Sequence, residues 1–278
     1  MPSARAEHIP AQLDARHPAP RLSLRAGAEY VQQMATLGLF GAIGLVVCPV
    51  CAIALALFGD RISATKGRDL IRGLFSFWLR LAIRIGTFQI DFPDAAKLAA
   101  HRGGIIAPNH PSLLDAVLLL ATVPNAVCIM RAGLMKSPFL GGAARLARFI
   151  GNDEGAALIR DGIERLERGE SLLIFPEGTR SHINAVNSFK KGFALMATKT
   201  EAPIQTVFIE REGRYLSKGT SLFAPATLPI RLRIHLGEQI HPEKDETAQA
   251  LSQRLEEYFR AHLENTGDSI RLTSSPVS

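Results

Sequence analysis

A histidine and an aspartate five residues apart, His110 and Asp115, close the apolar run Ile105-Ile106-Ala107-Pro108-Asn109 in a spacing that suits proton transfer. The run reads as a buried strand feeding a helix. Pro111 suits a first helical turn, where its missing N–H would be unpaired anyway, so Asn109 or His110 is expected to cap a helix continuing through Ala121. His110 then sits at the helix mouth and Asp115 one turn inside. From there a carboxylate folds back to accept one imidazole N–H, which fixes the tautomer and leaves the other ring nitrogen to take a proton. Taken alone, the same spacing also arises from ordinary capping and turn chemistry.

A second polar cluster ends the apolar run Ser171-Leu172-Leu173-Ile174-Phe175, which leaves into Pro176-Glu177-Gly178-Thr179-Arg180-Ser181. Gly178 lets the backbone turn sharply and approach a ligand, while Arg180 presents a planar fork to phosphate or carboxylate. Glu177 is placed to orient that arginine or an acceptor hydroxyl. Sites on open α/β sheets form beyond the strand C-termini, so the two clusters are expected on one edge. Ser112 offers a rival chemistry, a membrane-bound esterase, but no Gly-x-Ser-x-Gly elbow surrounds it, and local capping is its simpler role. No metal is expected, since His110 has no second histidine nearby and His-Glu-x-x-His is absent.

The elements that must hold these residues follow from periodicity. β-like runs at Thr87 to Phe92, Gly104 to Ala107, Ala126 to Met130, Leu172 to Phe175, Ile204 to Ile209 and Leu228 to His235 alternate with helical patterns. That alternation predicts an α/β fold with a mainly parallel sheet flanked by helices. Phe189-Lys190-Lys191-Gly192-Phe193 opens a helical run to Lys199, its lysines either meeting a phosphopantetheine arm or simply solvated. Thr247 to Leu263 is a helix packing Leu251, Leu255, Tyr258 and Phe259 on the body. His235 and His241 read as ordinary edge residues.

The first third differs in kind. Residues 1–20 mix Pro, Ala, Arg and His without an apolar period and are expected to form a loose tail. Val31 to Phe58 contains no charged residue, and its 28 positions suffice for a bilayer core of roughly 30 Å. Gly38, Gly41, Gly44 and Pro49 interrupt it, which favours a bent, re-entrant hairpin over a single span. A hairpin keeps both basic flanks, Arg21 and Arg25 before and Arg61, Lys66, Arg68 and Arg72 after, on the cytoplasmic face. Next, Arg68, Arg72, Arg80 and Arg84 recur at multiples of four among Leu70, Ile71, Leu74, Phe75 and Trp78, predicting a basic amphipathic helix on the membrane surface. Cys48-Pro-Val-Cys51 lies inside the apolar block, so its cysteines read as small packing residues, and three cysteines make no disulfide framework.

Lys and Arg outnumber Asp and Glu by 32 to 26, a net +6 that suits anionic lipid, phosphorylated substrate or nucleic acid alike. The apolar block decides for membrane lipids as partners, and no nucleic acid.

His110 to Asp115 together with Phe175 to Ser181 resembles the glycerolipid acyltransferase family, whose best-known members acylate lysophosphatidic acid. Arg131 to Gly141 is similar to the family's second block and Ala202 to Val207 to its fourth, so the likeness runs from about residue 70 to about residue 240. The resemblance implies an O-acyltransferase that moves a fatty acyl group from a thioester to a lysophospholipid hydroxyl. In it His110 is the general base, Asp115 its partner, and no covalent acyl-enzyme forms. Arg180 holds an anionic head group, with Glu177, Gly178, Thr179, Asn109 and Arg131 around the same pocket. No cofactor is implied, and the donor is acyl-CoA or an acylated carrier protein, reached from the cytoplasmic face of the inner or plasma membrane. Three positions depart from the pattern: Asn152 after Phe149-Ile150-Gly151, Thr206 for a second proline, and Arg131 at or beside a usual lysine. The expected division is a tail at 1–20, a membrane-associated helical segment at 21–85, an acyltransferase domain at 86–264 and a second tail at 265–278. A lipid-binding protein without turnover is the reading from another class.

Overall fold

The computed structural model describes residues 24–152, 155–181, 186–213 and 215–273, so the expected N-terminal tail lies outside the described residues. The chain opens with α1 (Leu24–Phe58), a 3-10 turn (Gly59–Arg61) and α2 (Ala64–Arg84). There follow β1 (Phe88–Asp91), α3 (Ala95–Ala100), β2 (Ile105–Pro108), α4 (Leu114–Thr122), β3 (Ala126–Met130), α5 (Ala132–Met135) and α6 (Gly141–Leu146). The remainder is β4 (Ile150–Gly151), α7 (Ala156–Glu167), β5 (Ser171–Leu173), α8 (Gly192–Thr200), β6 (Ile204–Arg211), β7 (Ile230–Ile240) and α9 (Ala248–Thr273). α9 therefore runs past Asn265, where polar composition predicts a loose end.

The strands form one seven-stranded sheet in the order β1-β7-β6-β2-β5-β3-β4. β6, β2, β5, β3 and β4 run parallel, whereas β7 lies antiparallel to β6 and carries β1 parallel to itself. The expected mainly parallel sheet is present. Its central strands read as continuous apolar runs because both faces are covered. Ile106, Leu173 and Cys128 point into a core shared with α1, α2, α4 and α6, while Ile105, Leu172 and Val127 point into one shared with α7, α8 and α9. Neighbouring residues alternate between the two cores, which is the period-2 geometry of a strand.

The apolar block corrects one expectation. It is a single 35-residue helix with Pro49 inside it, and the chain reverses afterwards, at 59–63, to lay α2 back beside the body. Of its glycines, Gly44 serves contact rather than bending, while Gly38 faces open space. A Cβ on Gly44 would stand 2.4 Å from the carbonyl oxygen of Phe139, so a side chain there would push α1 off the body. Gln33, Thr36, Cys48 and Cys51 are buried along α1, and the C-x-x-C cysteines are free thiols packed in the core.

α2 is amphipathic as expected, with Leu70, Phe77 and Ile83 exposed on its outer side, but one of its four arginines is buried. Ile71, Trp78, Leu79 and Ala82 pack it against the core, and Arg68 is buried with them at 3% exposure. Arg68 donates to Glu170 Oε1 at 2.8 Å, Asn125 Oδ1 at 2.9 Å and the Ala147 carbonyl at 3.1 Å. It braces α2 against the start of β5 and the end of α6. Only Arg72, Arg80 and Arg84 remain on the outer side of the expected basic stripe.

Candidate active site

β2 delivers its C-terminus to the edge of the sheet at Pro108, and the next residues leave the ladder. Asn109 carries the pairing one step further with its side chain. Its Nδ2 donates to the Ile209 carbonyl at 3.0 Å and its Oδ1 accepts from the Ile209 N–H at 2.7 Å. At 4% exposure and clamped on β6, Asn109 fixes the strand exit and is neither a helix cap nor an open ligand contact.

His110 follows, with Nδ1 2.9 Å from Asp115 Oδ2. Asp115 is wholly buried, and it also accepts the Ser112 N–H at 2.7 Å and the Ser112 hydroxyl at 2.8 Å. A carboxylate accepting from three donors orients the imidazole with Nδ1 protonated and Nε2 carrying its lone pair. The ring lies on Phe175, centroids 3.9 Å apart, and keeps 16% of its side chain exposed. Stacking and one hydrogen bond hold the base while leaving it reachable.

Ser112 explains why α4 begins at Leu114 rather than at Pro111. Its hydroxyl accepts from the Leu114 N–H at 3.1 Å, so capping falls to Ser112 and not to Asn109 or His110. With its proton given to Asp115, Ser112 is 1% exposed and is not set up as a nucleophile.

The second cluster meets the first, as the topology requires. β5 lies beside β2, and the chain turns after Phe175 through Gly178, whose φ of +66° suits glycine and whose N–H returns to the Phe175 carbonyl. Glu177 does not reach toward Arg180 or an acceptor. At 1% exposure its Oε1 accepts from the His110 N–H and the Ser181 hydroxyl, and its Oε2 from the N–H and Nδ2 of Asn187. Ser181 N–H closes the loop onto the His110 carbonyl at 2.7 Å. Glu177 is therefore a knot between the two clusters. Asn187 escapes sequence reasoning because nothing in its spacing marks it.

Arg180 uses Nη1 on the carbonyls of Leu216, at 2.9 Å, and Ser217, at 2.7 Å. The Leu113 N–H also reaches the Leu216 carbonyl, so the segment at 215–217 bridges both motifs. Arg131 is exposed at the end of β3, the strand beside β5, and Thr179 is exposed on the turn. Among the described residues no carboxylate pairs with Arg131 or Arg180. Arg180 thus stands beside a positioned base, its next residue bonded to the His110 carbonyl, an arrangement suited to deprotonating an alcohol on an anionic molecule. No cluster of three or more His, Cys, Asp or Glu residues able to hold a metal occurs among the described residues.

Residues 89–210 match the family model described as Acyltransferase. A protein from Arabidopsis thaliana named 1-acyl-sn-glycerol-3-phosphate acyltransferase, chloroplastic, is 30% identical over 122 residues, covering 42% of this chain and 34% of its own. A 1-acyl-sn-glycerol-3-phosphate acyltransferase of Limnanthes douglasii is 31% identical over 134 residues, 46% of this chain and 48% of its own. One from Pseudomonas aeruginosa is 26% identical over 145 residues, 50% and 54% respectively. The matches span about a third to a half of these relatives' lengths. The crystal structure of the 1-acyl-sn-glycerophosphate acyltransferase PlsC from Thermotoga maritima superposes with a TM-score of 0.66 at 22% identity, over 87% of this chain and 98% of that one. The fold is shared.

Proposed function

We propose that this chain, whose residues 89–210 match the Acyltransferase family model, transfers a fatty acyl group from an acyl thioester to a hydroxyl of a lysophospholipid. The observation that carries the reading is the bond from His110 Nδ1 to Asp115, made by a histidine whose own main chain is tied to the Glu177–Ser181 loop. Base and head-group arginine are thereby held in one frame.

Nε2 of His110 takes the proton of the acceptor hydroxyl as its oxygen attacks the thioester carbonyl carbon. The tetrahedral intermediate collapses, the C–S bond breaks, and the thiolate recovers the proton from the imidazolium. Asp115 stabilises that imidazolium. Arg180, with Arg131, offers charge to the acceptor's anionic head, and the donor is acyl-CoA or an acylated carrier protein, with no cofactor. Asn109 and Glu177 act as positioning residues, while Gly178 and Thr179 form the turn that carries Arg180.

The membrane is where such an acceptor lies. α1 is long and apolar enough to cross one by length and composition, but its buried stripe from Gln33 to Cys51 holds it along the domain for about 27 Å of helix. A helix bound sideways to a polar body cannot pass through a bilayer without dragging that body in. We therefore place α1 flat in one leaflet, its outer face of Leu45, Val46, Val50, Ile53 and Leu57 submerged. The domain lies on the cytoplasmic side, where acyl thioesters are found.

The test is thiol release from acyl-CoA with lysophospholipid present. His110→Ala should abolish it while leaving the thermal transition intact. Unchanged turnover would reject the base assignment, and no turnover by the unaltered protein across a lysophospholipid panel would favour a lipid-binding role.

A further inference from the structure

The connection between β6 and β7 carries an apolar tip that the proposed chemistry does not use. Leu222 is 41% exposed and Phe223 62% exposed. Neither is loosely held. The Phe223 N–H is donated to the Ser221 hydroxyl at 3.2 Å and the Ala224 N–H to the Ser221 carbonyl at 3.1 Å, a tight turn that keeps both side chains pointing away from the body.

The tip is fastened to α1 on both sides. Tyr30 donates its hydroxyl to the Phe223 carbonyl at 3.3 Å, and Gln33 Nε2 donates to the Ala224 carbonyl at 2.8 Å while its Oε1 accepts from the Ala226 N–H at 2.9 Å. Gln33 is completely buried in this contact. A polar residue within an uncharged block thus serves to seat the loop, and leaving its amide unpaired there would be costly. Beside the tip, Tyr30 and Val31 are exposed on α1, adding apolar surface at the end of the helix to which the loop is fastened.

We infer that Leu222 and Phe223 form a second membrane contact, a wedge that enters the same leaflet as the outer face of α1. Two side chains present too little area for a stable protein interface of roughly 1,000 Å², but they extend a lipid-facing helix by an anchored aromatic. The wedge grows from the segment whose Leu216 and Ser217 carbonyls hold Arg180. Lipid contact at the tip therefore sets the height of the head-group arginine above the surface. The inference rests on the leaflet placement of α1, and the experiment separates the two.

An environment-sensitive fluorophore is attached at Phe223→Cys, at Val50→Cys on α1, and at Glu257→Cys on the far side of the sheet, the native cysteines being buried. Each labelled protein is mixed with phosphatidylglycerol–phosphatidylcholine vesicles with and without bromine-bearing acyl chains. The label at 223 should shift to the blue and be quenched as the label at 50 is, with that at 257 unaffected. A response at 50 with none at 223 overturns the wedge and leaves α1 docking intact, and silence at both positions overturns the leaflet placement and the wedge with it. As a second measurement, Leu222→Ser with Phe223→Ser should lower the vesicle partition coefficient on the order of tenfold, and an unchanged coefficient counts against the wedge.

Discussion

The main-chain N–H of His110 is donated to Oε1 of Glu177, 3.2 Å away and 67 residues later in the chain. Four donors converge on that one buried carboxylate, so its removal would free the backbone of the base without touching the imidazole. Glu177→Gln, which turns an amide nitrogen toward donors, should lower kcat on the order of 10²-fold by misplacing His110, with KM for both substrates little altered. Stability should fall by about 1–3 kcal/mol. Asn187→Ala removes one of the four donors and should give a smaller loss in the same parameter. If Glu177→Gln instead raises only the acceptor KM, the residue contacts substrate and the knot is incidental.

Arg180 supplies the next expectation. Its Nη1 is committed to two carbonyls, which aims the remaining guanidinium edge, and a lysine cannot reproduce that fork. Arg180→Lys should raise the acceptor KM on the order of tenfold, leave the donor KM unchanged, and spare most of kcat. Equal increases in both KM values would mean that the arginine only fastens the 215–217 segment. Steady-state kinetics with each substrate varied in turn decides between them.

Much of this was legible in the residues. Four of the six expected runs overlap their strands closely, the central ones because both sheet faces are covered; Leu172 to Phe175 overruns β5 by two residues, and Leu228 to His235 begins early and stops short of Ile240. The two-residue β4 is too short to leave a period. His110 and Asp115 were legible because a strand exit followed by a helical turn constrains both. The role of Glu177 was not, since its partners Ser181 and Asn187 are brought in by a loop whose path has no periodic signature. Arg68 misled for a related reason: helical spacing puts it in line with Arg72, Arg80 and Arg84, but spacing says nothing about a distant Glu170 and Asn125 arriving on that line.

That difference predicts two separable outcomes on α2. Arg68→Ala leaves Glu170 with Arg165 alone and two carbonyl-type acceptors without their donor beside a buried cavity, and should cost about 3 kcal/mol of stability, read as a lower midpoint in thermal or denaturant unfolding. Arg80→Glu with Arg84→Glu, both at the surface, should leave that midpoint within about 0.5 kcal/mol while weakening binding to anionic vesicles in a salt-dependent way. Equal vesicle binding at low salt would remove the surface role of those two arginines.

The last expectation concerns pH and the seat of α9. His235 on β7 and His262 on α9 meet Nε2 to Nε2 at 2.9 Å, both stacked on Phe208. One ring nitrogen must be unprotonated to accept that bond. Burial pushes both histidines below their ordinary 6.5; the positive charge of Arg233 adds to this at His235 against the pull of Asp94, and His235 itself adds to it at His262 against Glu210. A histidine whose folded pKa is depressed favours the fold above its unfolded value and loses that contribution as pH falls through the folded one. Glu210 acts with the opposite sign, burial raising its carboxyl above 4.5, so its contribution is present in acid and fades as pH rises. Between pH 8 and about 6.5 the unfolding midpoint should therefore hold steady on account of the pair, and below that it should decline. His262→Gln should flatten the decline, because the remaining ring can protonate without facing a second one. A midpoint that falls as steeply in the variant as in the unaltered protein would place the acid sensitivity elsewhere in the fold.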